Sequence, residues 1–472
     1  MRKQDAQLQR GLKARQMNMI ALGGVIGAGL FVGSGSAIAQ AGPAAVVAYA
    51  VVGVLVVLIM RMLAELAVTS PETGSFASYA RREIGPWAGF ATGWCYAYLW
   101  AVIIGFEAVA GAGIFSRMVP EIPAWSAALI FMTILTASNL LSVRSFGELE
   151  FWFAAIKIFV IAAFLVLGVA AIIGVLPGIA APGMKNLTGN GGFAPHGWLQ
   201  VGLAGLVVVF SYFGTEVVTI AAGEAENPRE SVRKALQSVV ARILIFYVGS
   251  ILVIVTLLPS TSANVTKSPF AATLDYLGIP SAAMIMDIVV ITAVLSCLNS
   301  GIYTCSRIIF SLAQNGEAPR SFVNTNARSV PYVAVIASSL GGFITVAANY
   351  FLPTEALFTF LLESTGAMAL MIYLVIAVSQ IRHRHRVERE GGQIEVKMWG
   401  FPYVTWLVVV ALGLIAAALA WNGPTQRSFV LTAVVSAIAI SGGLIYQKRY
   451  SQVGKSRNSN MGLPQARENK AR

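Results

Sequence analysis

Gly24-Val25-Ile26-Gly27-Ala28-Gly29-Leu30-Phe31 interrupts the first long apolar segment, 17–41, at its centre, and Gly33-Ser34-Gly35 follows closely. A helix in lipid must satisfy its own backbone, and glycine is the poorest helix former after proline. Glycine at this density, in a segment long enough to span, predicts a helix that opens at mid-membrane. Opening frees N–H and C=O groups and brings a positive half-helix end to bilayer depth, an arrangement suited to holding a carboxylate. Gly24 and Gly27 alone would serve equally as a helix-packing face. The density of the cluster, and its partner in a later segment, favour the opened helix.

Composition sets the class around this segment. The chain is 57% hydrophobic and 11% charged, with a mean hydropathy of +0.72, where a soluble protein carries about a quarter charged residues. Apolar stretches of spanning length fall at 17–41, 43–67, 87–116, 124–142, 151–177, 199–223, 239–259, 281–306, 331–351, 355–380, 399–421 and 428–447. These predict an all-α polytopic membrane protein with twelve transmembrane helices. No stretch outside them could bury a soluble core. The flanking pieces are an N-terminal segment, 1–16, a loop at 381–398 and a tail at 448–472.

The net charge of +12 is distributed as topology rather than as a nucleic-acid surface. With the N-terminus placed on one side, twenty-six Lys and Arg fall on that side and four (Arg117, Lys185, Lys267, Arg427) on the other. The positive-inside rule then puts both termini in the cytoplasm. Cys95, Cys297 and Cys305 lie inside spans, so no disulfide framework is implied and each reads as a small packing residue. The first span is too long and too glycine-rich for a cleaved signal and is expected to stay in the protein. The polar tail beyond Tyr446 is expected to be disordered. The run Arg382-His383-Arg384-His385-Arg386 opens the longest cytoplasmic loop and reads as a basic topology anchor.

A second interruption lies five spans on, at Ser211-Tyr212-Phe213-Gly214-Thr215-Glu216. Five crossings is an odd number, so the two interrupted segments enter the membrane from opposite sides. That pairing points to an inverted repeat with a binding site between its halves. The other ionisable residues at depth are costly and read as facing the bundle interior. Glu107, Lys157 and Glu216 are the functional candidates. Glu224 and Glu226 lie near the cytoplasmic end of the sixth span. Asp287 and Glu363 lie nearer the membrane edges and read as structural. Lys157 has no adjacent acid in its own span, since Glu150 is about two turns away. It must pair across the bundle or give up its proton, which makes it a candidate proton carrier.

The motifs together resemble a known family. Gly24 to Ser34, Ala41-Gly42-Pro43, Arg61-Met-Leu-Ala-Glu-Leu, Pro71-Glu-Thr-Gly-Ser-Phe, Gly147 to Lys157, Phe210-Ser-Tyr-Phe-Gly-Thr-Glu, Gly223-Glu-Ala-Glu-Asn-Pro-Arg and Ser306-Arg-Ile-Ile-Phe-Ser-Leu-Ala are similar, in order and spacing, to the amino acid–polyamine–organocation transporters. Met60-Arg-Met-Leu-Ala-Glu, Thr136-Ala-Ser-Asn-Leu-Leu-Ser-Val, Glu216-Val-Val-Thr-Ile-Ala-Ala, Ser296-Cys-Leu-Asn-Ser and Tyr373-Leu-Val-Ile-Ala-Val-Ser-Gln resemble the bacterial amino acid permeases typified by γ-aminobutyrate permeases. Permeases for proline, asparagine and aromatic amino acids share much of this.

The resemblance implies a five-plus-five inverted repeat over 17–177 and 199–380, forming a transport core at 17–380, with two further helices at 399–447. It implies import of a small amino acid across a bacterial cytoplasmic membrane. The substrate carboxylate would sit on Ile26, Gly27, Ala28 and Gly29, and its amino group near Phe210, Tyr212 and Gly214. Lys157 matches the fifth-helix lysine that takes the place of sodium in proton-coupled relatives, so a proton is the expected partner ion, with Glu216 a second coupling candidate. For a ω-amino acid such as γ-aminobutyrate the ammonium must reach further, and Glu107 is the expected partner. No cofactor or metal site is expected. A membrane enzyme would need a nucleophile with a base or a metal cluster, and His196, His383 and His385 are expected in loops. A channel would need a continuous polar stripe, whereas polarity here gathers at mid-depth. An exchanger and a non-transporting sensor stay open.

Overall fold

The computed structural model describes residues 8, 11–23, 26–189, 191–352 and 367–460. Gly24, Val25 and Glu363 therefore lie outside the described residues. Every regular element among those described is helical, apart from an isolated parallel bridge between Leu12 and Ala225. Eight helices are long and apolar enough to cross a membrane, the run Gly29–Thr69 counting as one. Two shorter apolar helices, Trp198–Val209 and Ile243–Leu257, accompany them.

The bundle is organised as a bilayer demands. Phe159, Val166, Leu199, Leu414 and Ile438 are exposed on its outside, while Glu65, Glu150, Lys157, Glu216, Glu224 and Arg307 are buried within. Lipid solvates apolar side chains, so the charged groups have no favourable place except against one another. At the centre Pro86–Met118 packs along Ala282–Gln314. Their approach is set by small residues, since a Cβ on Gly301 would stand 2.8 Å from the Trp100 ring. Tyr332–Phe351 and Gly423–Asn460 close on the same central helix.

Two expectations are corrected here. His383 and His385 lie inside the Met368–Arg389 helix, which runs through the basic stretch because its side chains find partners. Arg384 makes a two-pronged pair with Glu65 at 2.6 and 2.7 Å. His383 Nδ1 lies 3.1 Å from Glu83 Oε1, and Arg386 donates to the same carboxylate at 2.8 Å. The run is an ion-paired clamp on the neighbouring helices, more than a topology anchor. The last helix, likewise, continues past Tyr446 to Asn460, so the first part of the tail is helical.

Candidate functional site

Both interruptions read from the sequence are discontinuities in the structure. The Ala14–Gly23 helix stops, Ile26 and Gly27 are non-helical, and helix resumes at Ala28–Phe31 and Gly33–Ala41. Ala28 is thus the first residue of the resumed helix. The Trp198–Tyr212 helix, with Phe210 in its last turn, gives way to a turn before Val217–Ala221. Gly214 there has φ of 100°, a conformation that side-chain-bearing residues rarely adopt.

The two breaks touch. Ser211 Oγ donates to the carbonyl of Gly29 at 2.8 Å. A Cβ on Gly29 would lie 2.8 Å from Ser211 Cα, so this crossing requires glycine. Tyr212 points away from the crossing, its hydroxyl donating to the Tyr49 carbonyl at 2.9 Å. Ile26 is fully buried.

Glu107 stands opposite the first break. A Cβ on Gly27 would be 3.9 Å from Glu107 Oε1 and 3.9 Å from the Cβ of Cys297, leaving ordinary contact space and no clash. Glu107 is 3% exposed, and its Oε2 has no hydrogen-bond partner among the described residues. A buried carboxylate oxygen left unpaired is costly. The arrangement can accept a donor, and a cationic one best.

Glu216 is differently placed. Its Oε2 accepts from the Gly214 N–H at 3.1 Å and its Oε1 from the Tyr96 hydroxyl at 3.0 Å. It closes the second break internally, and both oxygens are engaged. Around that break stand Tyr96, Trp100, Phe213 and Tyr373, with ring centroids 6.1–6.2 Å from that of Phe213.

Lys157 pairs across the bundle. Its Nζ donates to the Gly23 carbonyl at 2.5 Å and to Ser296 Oγ at 2.8 Å. Ser296 donates in turn to Glu150 Oε1 at 2.5 Å, and Asn299 reaches Glu150 Oε2 at 3.4 Å. Glu150 thus serves Lys157 through a hydroxyl supplied by another helix. Beyond these groups Glu224 and Arg307 form a buried pair at 2.7 Å, with the Tyr303 hydroxyl on the same carboxylate at 3.0 Å. Gly11 and Leu12 donate to the Glu224 carbonyl, which seats the N-terminal segment there. Asp287 lies 3.6 Å from Arg117.

Sequence reasoning gave no role to Ser296 or Asn299, read Cys297 as a packing residue, and set Glu150 aside. A signal was present: Ser296, Asn299, Tyr303 and Arg307 recur at spacings of three and four, a buried polar stripe on an otherwise apolar helix. Among the described residues no group of His, Cys, Asp and Glu is arranged to hold a metal.

Residues 16–454 match the amino acid permease family. The chain is 49% identical over 450 residues to the γ-aminobutyric acid permease of Bacillus subtilis, covering 95% of this chain and 96% of that protein. It is 45% identical over 438 residues to the γ-aminobutyric acid permease of Escherichia coli, covering 93% and 94%. It is 46% identical to a probable GABA permease of Pseudomonas aeruginosa, covering 96% of each. Among solved structures, the manganese transporter of Eremococcus coleocola in complex with an aromatic bis-isothiourea compound superposes with a TM-score of 0.58 at 15% identity, covering 91% of this chain and 92% of that one. That likeness concerns the fold alone.

Proposed function

The chain belongs to the amino acid permease family, a multi-pass membrane transporter of amino acids and not an enzyme, and we propose that it imports γ-aminobutyrate or a related ω-amino acid by proton symport. The observation that carries the substrate assignment is Glu107, buried, with one oxygen unpaired, facing Gly27 in the first break. A carboxylate held on the N–H groups around Ile26–Gly29 leaves a ω-ammonium several methylenes away in need of its own partner. Glu107 meets that distant charge. The backbone carbonyls around Phe210, Tyr212 and Gly214 in the second break are the proposed seat on the opposing side, with the Tyr212 side chain turned away to Tyr49, and the relatives' names support the same substrate.

Lys157 is the proposed proton carrier, since a fixed ammonium there would exclude a sodium ion and Ser296 links it to Glu150. Glu216 is the second candidate, though its engaged oxygens support a holding role. We read the architecture as twelve spans, with an inverted repeat over 17–177 and 199–380 and both termini in the cytoplasm of a bacterium. The charge asymmetry and the paired breaks support this topology. Uptake of a labelled amino acid panel into liposomes, with and without an imposed pH gradient, tests the proposal. Accumulation of γ-aminobutyrate only under an inward proton gradient is expected. An α-amino acid permease for proline, asparagine or aromatic substrates would instead show no competition by γ-aminobutyrate at large excess.

A further inference from the structure

A basic pocket is lined by none of the residues proposed to hold the substrate or the proton. Its cavity of about 120 Å³ is lined by Val57, Arg61, Arg233, Leu236, Gln237 and Trp399, contributed by the Ala45–Thr69 helix, the Pro228–Arg242 helix and the loop before Tyr403. Arg61 is held in place without being neutralised. Its Nε donates to the Lys397 carbonyl at 2.9 Å, and its guanidinium lies 4.9 Å from the Trp399 ring centroid. The nearest carboxylate along its helix, Glu65, is occupied by Arg384, Gln380 and the Met398 N–H. Arg233 is aimed by Glu230 at 2.9 Å, an exposed pair that leaves it able to accept a better anion. Lys234 and Lys397 add positive charge nearby, and Glu230 and Glu395 oppose it.

The surroundings identify the source of the anion. Val54, two turns before Arg61 on the same face of its helix, is 58% exposed, and Leu244, next to the other wall, is 54% exposed. Trp399 is half-exposed, as befits an aromatic residue at the membrane–water boundary. A charged mouth with exposed apolar residues about two helical turns along each wall matches a molecule with a phosphate at one end and hydrocarbon at the other. Basic pockets between helices at the cytoplasmic face take anionic headgroups. We propose that this pocket binds the phosphate of an anionic phospholipid from the leaflet on the N-terminal side, with its acyl chain along Val54 and Leu244. The proposal is independent of which amino acid is carried.

Native mass spectrometry of the full chain in detergent, titrated with phosphatidylglycerol or phosphatidylcholine, tests it. Phosphatidylglycerol should bind more tightly, and Arg61→Gln should weaken that binding about fivefold or more, the loss of one interfacial cation. Arg233→Gln and Trp399→Leu should each weaken it too, and they carry the test if Arg61→Gln does not fold. Phosphatidylcholine binding should not change. Equal binding of the two lipids, or phosphatidylglycerol binding unaffected by the folded variants, overturns the proposal. Displacement of the lipid by inorganic phosphate at equal concentration would make the site one for free phosphate and overturns the lipid assignment.

Discussion

Lys157 donates from its ammonium to the carbonyl of Gly23, the residue on which the first half-helix ends, at 2.5 Å. The same carbonyl also accepts from the Ile26 N–H at 3.1 Å, and a helix C-terminus carries partial negative charge that a cation there offsets. The lysine that is the proposed proton carrier is therefore also the cap of the break that is the proposed substrate site. Loss of its proton would remove a charge-assisted bond from that cap, which joins protonation to the shape of the site.

Lys157→Ala should abolish accumulation of substrate driven by a pH gradient. Lys157→Arg should not restore it, because a guanidinium caps the carbonyl but does not release its proton in this range. The measurement is concentrative uptake in liposomes with the gradient imposed and then collapsed. Either variant concentrating substrate would move the coupling role to Glu216 or Glu107.

The two glycines of the first break should differ. A Cβ at Gly29 meets the Ser211 backbone at 2.8 Å, whereas one at Gly27 finds only ordinary contacts. Gly29→Ala should cost roughly 1–3 kcal/mol in stability through overpacking and lower uptake with it. Gly27→Ala should fold as the parent does and weaken uptake by intruding beside Glu107. Leucine at either position should abolish uptake while the protein still inserts. Thermal melting beside uptake separates the two effects, and normal transport by both leucine variants would remove the break from the binding site.

Both breaks were legible because glycine density and a stranded carboxylate are local signals. Gly214, for instance, sits where the sequence interrupts its own apolar run. The bond of Lys157 through Ser296 to Glu150 was not legible, since it joins residues 139 and 146 positions apart. No periodicity within one helix fixes which face of another it meets. The basic stretch at 382–386 misled for the same reason. Its charges look solvated in isolation, and only the packing of Glu65 and Glu83 against them turns the loop into helix.

That clamp gives a pH dependence. Burial would raise the Glu83 carboxyl, but His383, Arg386 and Arg82 outweigh it and hold the group well below its ordinary 4.5. A depressed folded-state value means the stabilisation is complete above the unfolded-state value and is lost as pH falls through the folded one. Glu83→Gln should therefore lower stability by roughly 1–2 kcal/mol at pH 7, less than for a fully buried pair because Arg82 and Arg386 are partly exposed. The gap to the parent should narrow below about pH 4. Melting temperatures measured across pH 3–8 check this, and a constant gap would show that the carboxylate charge is not what holds the clamp.

Glu107 bears the substrate question. Its unpaired oxygen at the first break is the proposed seat of a ω-ammonium, and a hydrogen bond to a charged group is worth about 1.5–3 kcal/mol. Glu107→Gln keeps the shape and removes the charge. It should weaken γ-aminobutyrate uptake roughly ten- to a hundredfold in apparent affinity, while any residual transport of α-amino acids changes less. If Glu107 instead only ties its helix to Cys297 and its neighbours, the variant should reduce protein level or the transport of every substrate by the same factor. A competition panel run on parent and variant at matched protein level distinguishes the two, because only a substrate-specific loss follows from a carboxylate that touches the far end of the ligand.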